Sequence, residues 1–336
     1  MRKTIKEIAK EAGVSKTVIS AVVNKKFERI PFLSEKKKRL ILHLIKKYDY
    51  VPRKSARDLS YQKTNIIGII LHRLTPFFSQ LVEELQKYAF SHKIEVMPYI
   101  TEGIPEREEE YLNMMRDGRV DGVIVAGTVK GSKKRYLKYT NSPYNMKLVT
   151  IAIPPIDNIP SVCMDEEKVG IISAKHLIDI GCKRLCVFGG EKNFIRCESF
   201  IKYAKERNIE VKFLTEKHFV AYYQQGRKLA KKLLKEKEIP DGIFAFNDSL
   251  GVALMVEVLK EGIKVPQELA IISCDNTQLC ECTFPEITSI DNNTKLLAKI
   301  AFEKIIAKIN NKEIKEIHTK TEPKLIIRGS TKKEAK

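Results

Sequence analysis

Polar and aromatic side chains suited to ligand binding stand at four points where a short apolar run of the sequence ends. They are Phe78, Arg196, Asn247 and Asp275. A ring face, a guanidinium, an amide and a carboxylate offer a stacking surface with hydrogen-bond donors and acceptors, which a polyhydroxylated ligand needs. Each also has an ordinary structural explanation. Asn247 can cap the following helix, Asp275 can begin a turn, and Phe78 can be core.

A second chemical signal is the positive charge of the amino-terminal segment. Residues 1–60 carry 17 Lys and Arg against 6 Asp and Glu, a net charge of +11, whereas the other 276 residues carry 44 against 36, a net charge of +8. Such a local excess indicates a polyanionic partner. Because Lys outnumbers Arg by 46 to 15, a solvated lysine-rich surface is the alternative, and charge alone does not decide between the two.

Two short helices are predicted to position the side chains at the start of this segment. Thr4 caps the first, with Glu7 as its capping-box partner, and Gly13 provides the left-handed residue that a tight turn needs. Ser15 caps the second. The side chains of the second helix expected to point inward are Val18, Ile19, Val22 and Val23. Those expected to point outward are Lys16, Thr17, Ser20 and Ala21. The arrangement is a helix-turn-helix, for which a generic helical hairpin is the alternative.

A helix-turn-helix binds double-stranded DNA through its second helix, whose amino-terminal side chains reach base edges in the major groove. Lys16 and Thr17 are best placed for base contacts. The residues expected to contact phosphates and set the register are Ser15, Ser20, Asn24, Lys25 and Lys26. Thr4 completes the set of DNA-binding candidates in this segment.

A third helix and a polar segment follow. Ser34 caps the helix, and Lys36–Arg39 form its basic start. The apolar stripe that would close a three-helix core is Leu40, Ile41, Leu44, Ile45 and Tyr48. Pro52 can begin a further helix, but Leu59 is the only large apolar side chain among the residues just after it. Composition alone favours a linker over this segment.

From residue 65 onward, short apolar runs alternate with amphipathic stretches. The predicted strands are 66–71, 94–99, 121–126, 184–188, 210–214, 242–246 and 269–273. The predicted helices are 77–92, 105–117, 167–180, 194–208, 221–236 and 249–261. Near-continuous apolar strands between helices indicate parallel sheets covered on both faces. The two series predict an α/β protein with two doubly wound subdomains, a fold in which ligands bind beyond the carboxyl ends of the strands.

Several classes of protein are excluded by what the sequence lacks. The seven cysteines are odd in number and include no C-x-x-C pair, so we expect reduced thiols, no disulfide framework and no metal site. With no apolar h-region at the amino terminus and no run approaching ~18 apolar residues, we expect a soluble, cytoplasmic protein without a membrane partner. Since no G-x-S-x-G, H-E-x-x-H, P-loop or G-x-G-x-x-G motif occurs, we expect neither an enzyme nor a cofactor.

Two separate motifs, in the right order, resemble those of the LacI/GalR family of transcriptional regulators. One extends from Thr4 through Gly13-Val14-Ser15 to Asn24, and the other extends from Tyr50-Val51-Pro52 to Leu59. The resemblance implies that the second motif is a hinge helix, which forms on the operator and contacts DNA through Arg57. It also implies that Leu59 wedges into the minor groove at the centre of the site, where an apolar wedge kinks the duplex.

The resemblance covers essentially the whole chain, and it implies a domain organisation. Residues 1–50 would form the three-helix DNA-binding domain and residues 51–63 the hinge helix and linker. A periplasmic-binding-protein-like effector domain would follow, with one subdomain at 64–162 and 292–322 and the other at 163–291 and 323–336. The effector, a sugar or related metabolite, would lie in the cleft, with Phe78 beside it and Arg196, Asn247 and Asp275 hydrogen-bonded to it.

The function implied is that of a DNA-binding transcriptional regulator, most often a repressor in this family. It would act as a homodimer on a roughly palindromic operator and respond to its effector. A catabolite-control-type regulator that responds to phosphorylated HPr is the alternative, because Asp275-Asn276-Thr277 resembles that branch of the family. A solute-binding protein of the transport class would suit the core but not the amino-terminal segment.

The chain departs from the family pattern at positions that bear on specificity. Ala21 stands where the family often has an Arg that would read guanine, Arg53 stands where Asn is usual, and the loop 25–33 is longer. In the effector domain, Thr75 stands where Asn is usual before Pro-Phe, and Ser199 replaces a usual Gly. No familiar sugar is therefore assumed as the effector.

Overall fold

The structure, a computed structural model, describes residues 3–23, 27–48, 50, 63–216 and 223–332. The chain divides into two compact units, residues 1–64 and 65–336. The predictions for Asn24, Lys25, Arg57 and Leu59 lie outside the described residues. Within the described residues, no helix is both long and apolar enough to cross a membrane.

The described part of the amino-terminal unit contains three α-helices. They are α1 (Ile5–Ala12), α2 (Lys16–Val23) and α3 (Glu35–Lys47). The predicted capping box opens α1, because the Thr4 hydroxyl accepts from the Glu7 N–H while the Glu7 carboxylate accepts from the Thr4 N–H at 2.7 Å. Gly13 ends α1 with φ 61°, and Ser34 caps α3. The predicted three-helix arrangement is confirmed, with a 3-10 turn at Phe27–Arg29 between α2 and α3.

Two side chains of this unit lie elsewhere than predicted. Ala21, expected to point outward, is 6% exposed and belongs to the same buried cluster as Ile30. The reason is the loop between α2 and α3, whose 3-10 turn contacts α2 and brings Ile30 into the core. Leu40, expected in the apolar stripe of α3, is 40% exposed, because the buried stripe is centred on Ile41 and Leu44.

The first half of the carboxyl-terminal unit alternates strands and helices. In chain order these are β1 (Ile66–Leu71), α4 (Pro76–Ser91), β2 (Glu95–Ile100), α5 (Pro105–Met114), β3 (Gly122–Ala126), α6 (Ser132–Thr140), β4 (Leu148–Ile151) and β5 (Ser161–Met164). Side chains of β1 alternate between two cores: Ile67 and Ile69 cluster with Leu81 of α4, whereas Ile70 clusters with Tyr136 of α6. Burial on both faces explains why these strands are nearly continuous apolar runs.

The second half repeats the pattern. Its elements are α7 (Glu166–Asp179), β6 (Leu185–Phe188), α8 (Ile195–Lys205), β7 (Val211–Leu214), α9 (Tyr223–Leu233), β8 (Gly242–Ala245), α10 (Asp248–Lys260), β9 (Ala270–Cys274) and β10 (Thr288–Asp291). Strands β7, β6, β8, β9 and β10 are parallel neighbours in that order. Cores again lie on both faces of the sheet.

After β10 the chain returns to the first sheet and then crosses back to the second. Helix α11 (Thr294–Ile309) packs on α4, strand β11 (His318–Thr321) pairs with β5, and strand β12 (Lys324–Ile326) pairs antiparallel with β10. The described residues thus form two six-stranded sheets, ordered β11-β5-β4-β3-β1-β2 and β12-β10-β9-β8-β6-β7. Buried Lys304 of α11 ties this return to the first sheet by donating to the carbonyls of Ser161, Glu316 and Ile317 at 2.8, 2.8 and 2.9 Å. The predicted α/β fold with two doubly wound subdomains is confirmed, and the boundaries assigned to them stay predictions.

Candidate functional site

The outer surface of α2 carries the side chains predicted to reach bases. Lys16 and Thr17, in the first turn, are exposed, and Ser20 one turn later is partly exposed. The helix is anchored from its other side by Val18 and Ile19, which are buried in the three-helix core. The exposed face therefore presents an ammonium and hydroxyl groups, which can donate to base edges and phosphate oxygens.

Thr4 and Ser15 are exposed helix caps. The Thr4 hydroxyl donates to the Glu7 carboxylate at 2.7 Å, and the Ser15 hydroxyl accepts from the Val18 N–H at 3.3 Å. A cap lies beside the first-turn N–H groups of its helix, and such a terminus attracts anions. The position of these two caps is therefore compatible with the phosphate contact predicted for Ser15 and with the DNA-binding role predicted for Thr4, which stay predictions.

Phe78 lies just beyond the carboxyl end of β1, in the first turn of α4. Thr75 caps that helix by accepting from the Phe78 N–H at 3.4 Å. The ring is partly buried, packs against the first core, and meets Phe77 edge-on at a centroid distance of 5.2 Å. A Cβ on Gly127, which follows β3, would come within 3.2 Å of the Phe78 ring. The glycine thus leaves room for this aromatic side chain at the end of the sheet.

Arg196, in the first turn of α8, is buried among partners from both halves of the unit. Its Nε and Nη2 donate to the two carboxylate oxygens of Glu166 at 2.5 and 2.8 Å, and its Nη1 donates to the Phe246 carbonyl at 3.1 Å. Nη2 also lies 3.3 Å from Sδ of Met164, the last residue of β5. Burial alone would lower the pKa of this guanidinium, but Cys274 and Glu166 beside it raise the pKa well above its usual value. Arg196 therefore stays charged inside a fixed set of partners.

Asp275 follows β9 directly and adopts φ 111°, a conformation that L residues rarely take. Asn292 donates to its carboxylate at 3.0 Å. Burial raises the pKa of Asp275 well above its usual range, against the opposing effect of Arg196. The guanidinium of Arg196 lowers the pKa of Asp275, and the carboxylates of Asp248 and Glu166 raise it, but burial has the largest effect.

Asn247 and its neighbours also have structural tasks. The Asn247 side-chain oxygen caps α10 by accepting from the Leu250 N–H at 3.1 Å. Asp248 is buried and accepts hydrogen bonds from Ser273, Thr277 and Ser289. Helix capping therefore explains the hydrogen bond of the Asn247 side-chain oxygen. Asp248 stabilises the strand ends nearby through the hydrogen bonds that it accepts.

The run Asp275-Asn276-Thr277, on which the HPr alternative depends, is held from within. Asn276 accepts from Arg328 at 2.9 Å, and Thr277 donates to Asp248 at 2.8 Å. These contacts explain the residue types of Asn276 and Thr277 through the fold itself.

We refer to Met164, Glu166, Arg196, Phe246 and Asp275 as the strand-end cluster. Of the four residues predicted to bind the effector, Arg196 and Asp275 belong to it, Asn247 directly follows Phe246, and Phe78 lies at the end of the other sheet. Three contacts of Arg196 were not predicted from the sequence: Met164, Glu166 and Phe246. Their position was a usable signal, since each lies at or just after the carboxyl end of a strand.

Two family models match the chain. Residues 4–53, which contain α1, the Gly13 turn and α2, match the model of bacterial regulatory proteins of the lacI family. Residues 174–331 match the periplasmic binding protein-like domain. A related protein, the HTH-type transcriptional repressor PurR of Vibrio parahaemolyticus, is 27% identical over 339 residues, spanning 98% of this chain and 99% of that protein. The chain belongs to the lacI family of bacterial regulatory proteins.

Solved structures agree with this assignment of the fold. A lac repressor dimer bound to operator and the anti-inducer ONPF matches 98% of this chain and 99% of its own, with a TM-score of 0.83 and 18% identity. A periplasmic binding protein/LacI transcriptional regulator from Alkaliphilus metalliredigens, complexed with D-xylulofuranose, matches 80% of this chain and all of its own, with a TM-score of 0.70 and 25% identity.

Membership in the lacI family decides between the classes of function considered from the sequence. The protein is a DNA-binding transcriptional regulator, and its family consists of regulators rather than enzymes. The predicted resemblance to LacI/GalR regulators is thereby confirmed.

Proposed function

We propose that this lacI-family regulator represses transcription by binding a roughly palindromic operator as a homodimer, and that a sugar or related small metabolite bound at the strand-end cluster controls this binding. The exposed face of α2 carries the proposal for DNA. It presents Lys16 and Thr17 in the first turn, where a recognition helix contacts base edges. The repressors named PurR, which match nearly the full length of this chain, support repression rather than activation.

The remaining DNA contacts complete the proposal. Thr4, Ser15, Ser20, Asn24 and Lys25 would bind around the phosphate backbone and set the register of α2. Arg57 and Leu59 would act from the hinge at residues 51–63, where Leu59 would open the minor groove. In this account the hinge couples the effector domain to the operator, so effector affinity and operator affinity depend on each other.

The strand-end cluster supports a small polar ligand. Asp275 supplies a carboxyl group at the carboxyl end of β9, and Phe78, at the end of the other sheet, supplies a partly buried ring, while the Phe246 ring lies 4.9 Å from the Arg196 guanidinium. Ligands of open α/β sheets bind at such ends. The similar regulators crystallised with D-xylulofuranose and with cellobiose bind sugars. We therefore propose Phe78, Arg196, Asn247 and Asp275 as effector-binding residues, with a sugar or related metabolite as ligand.

The homodimer is supported by an exposed apolar face on the first subdomain. Phe90, in the last two turns of α4, is 85% exposed, and Met97 on the edge strand β2 is 42% exposed. Both line one shallow groove together with Ile94, and the charged residues Lys87 and Glu95 line it as well. A second copy is the occupant that a two-fold operator requires, because each copy must place one α2 on its half-site.

A ligand screen followed by an operator titration tests the proposal. A ligand that binds only the folded chain raises its melting temperature, so sugars, sugar phosphates and nucleobases are screened by thermal shift. We expect at least one hit, and we expect that hit to change the Kd for an operator selected from random DNA. If a ligand binds the strand-end cluster and leaves the Kd for the operator unchanged, the effector does not regulate DNA binding as proposed.

A further inference from the structure

Glu166 holds Arg196 as an anionic ligand would hold it. The two carboxylate oxygens of Glu166 accept from Nε and Nη2 of Arg196 at 2.5 and 2.8 Å, which is the bidentate geometry by which Arg binds carboxylates and phosphates. The Phe246 carbonyl accepts a hydrogen bond from Nη1, and Met164 Sδ lies beside Nη2. Four of the five N–H groups of the guanidinium are therefore engaged inside the protein.

The fold itself positions this pair. Glu166 lies in the first turn of α7, behind the N-cap Asp165, and Arg196 lies in the first turn of α8. The two helices touch closely, since a Cβ on Gly170 would come 2.2 Å from the Arg196 carbonyl and 2.1 Å from Ser199 Oγ. The close approach at Gly170 fixes the distance between the two first turns, and with it the distance between carboxylate and guanidinium.

The pairing changes the charge that a ligand meets. Arg196 is 7% exposed and Glu166 is partly buried, so their charges face each other with little solvent between them. A ligand anion that bound Arg196 would have to displace Glu166 and would leave that carboxylate beside a second negative group. Asp275 accepts from Asn292 and adds no cation to this end of the sheet. The cluster thus offers carboxyl groups, and its one buried cation is already paired.

We propose that Glu166 is a specificity-determining residue that neutralises Arg196 and excludes ligands with a carboxylate or phosphate at that end. The effector would instead be uncharged or cationic there, and it would present hydroxyl or N–H donors to the Glu166 and Asp275 side of the cluster. This inference rests on the proposed function, because it concerns the same ligand site. It goes beyond that function by separating uncharged sugars and bases from their phosphate esters.

Inorganic phosphate is the probe that tests the role of Glu166 directly. Its Kd is measured by calorimetry on the full chain at constant ionic strength, for the wild type, Glu166→Gln and the control Glu167→Gln. Glu167 is the exposed neighbour in the same turn, so the control removes the same charge without touching Arg196. We expect Glu166→Gln to bind phosphate at least about tenfold more tightly than the wild type, the gain of one charge-assisted hydrogen bond. The control Glu167→Gln should bind phosphate with the same Kd as the wild type.

Equal phosphate affinity in the wild type and Glu166→Gln would overturn the proposal, as would an equal gain in the control. The double variant Glu166→Gln, Arg196→Gln should lose the increase in phosphate affinity. An increase that persists in the double variant would show that the anion binds elsewhere, and it would also overturn the proposal. If that variant does not fold, crystals of the wild type and Glu166→Gln are soaked in sulfate, and the anion must appear on Arg196 only in the variant. Because none of these measurements needs the effector or the operator, their outcome is independent of whether the proposed control of DNA binding holds.

Discussion

Ala21 on α2 and Ile30 in the following loop lie in one buried cluster, although Ala21 occupies a position where an Arg that reads DNA is common in the family. The loop after α2 folds back as a 3-10 turn and contacts that helix. The small side chain is thus a consequence of the loop's path. The exposed side chains of α2 are then Lys16 and Thr17, and Ser20 is partly exposed.

Ala21→Arg should destabilise the amino-terminal unit rather than restore a base contact. Forcing a long side chain into a packed core costs about 1–3 kcal/mol. Urea unfolding of the variant should show this loss in the free energy of unfolding, whereas the control Thr17→Arg, on the exposed face of the same helix, should change it by less than about 0.5 kcal/mol. An Ala21→Arg variant with the wild-type free energy of unfolding would contradict this prediction. It would show that the loop after α2 can move to accommodate the longer side chain.

Strands and helices that bury apolar side chains on both faces were predictable, because their residues form unbroken apolar runs. The predicted strands at 66–71 and 242–246 match β1 and β8 closely. Helix α6 escaped prediction because its sequence is mostly lysine and polar residues, with only Tyr136, Tyr139 and Ser132 buried. Strands β4 and β5 were not predicted; each carries a buried polar residue, Thr150 or Ser161, in a run of only four residues.

The candidate effector site was predictable only as a set of strand ends. Arg196 and Asp275 could be placed at one edge of a sheet because carboxyl ends of parallel strands lie together. The contact between Arg196 and Glu166 could not be predicted, because the two residues are 30 positions apart and meet only through the close packing of α7 on α8 at Gly170. Side-chain partners depend on such packing, which residue spacing does not encode.

The raised pKa of Asp275 predicts a pH dependence of stability. Burial raises this pKa in the folded chain, so the folded state binds the proton more tightly than the unfolded state, whose Asp pKa is about 3.9. The stability that the protonated Asp275 carboxyl contributes to the folded state is fully present below the unfolded pKa. It is lost as pH rises through the folded pKa.

Asp275→Asn removes this titration, so its free energy of unfolding relative to the wild type should rise as pH increases from 4 to 8. Urea denaturation at several pH values measures the difference, with the exposed Asp117→Asn as control. A difference that stays flat over this range would contradict a raised pKa at Asp275.

The proposed dimer predicts that Phe90→Glu weakens self-association. A charge placed on an apolar face that must be desolvated on binding is costly, so sedimentation velocity should show monomers at concentrations where the wild type is dimeric. Ile317→Glu, also on an exposed apolar side chain, serves as the control and should stay dimeric. Unaltered dimers of Phe90→Glu would place the interface on another face.

Leu59→Ala should lose operator affinity while keeping effector affinity. If Leu59 wedges between base steps, its removal abolishes the bend and the contacts that depend on it. Fluorescence anisotropy with operator DNA and calorimetry with an effector measure the two affinities separately. Unchanged operator affinity would remove the hinge from the account, whereas loss of both affinities would indicate a general folding defect.

The most direct test of the central claim is selection of DNA sequences from a random pool by the full chain. We predict that the wild type enriches one inverted-repeat motif and that the double variant Lys16→Ala, Thr17→Ala loses the preference for its bases while still binding DNA at low salt. Lys46→Ala, which removes an exposed positive charge from the far end of α3, should keep the motif. An absence of any enriched motif with the wild type, or the same motif enriched equally by the double variant, would contradict sequence reading by the first turn of α2.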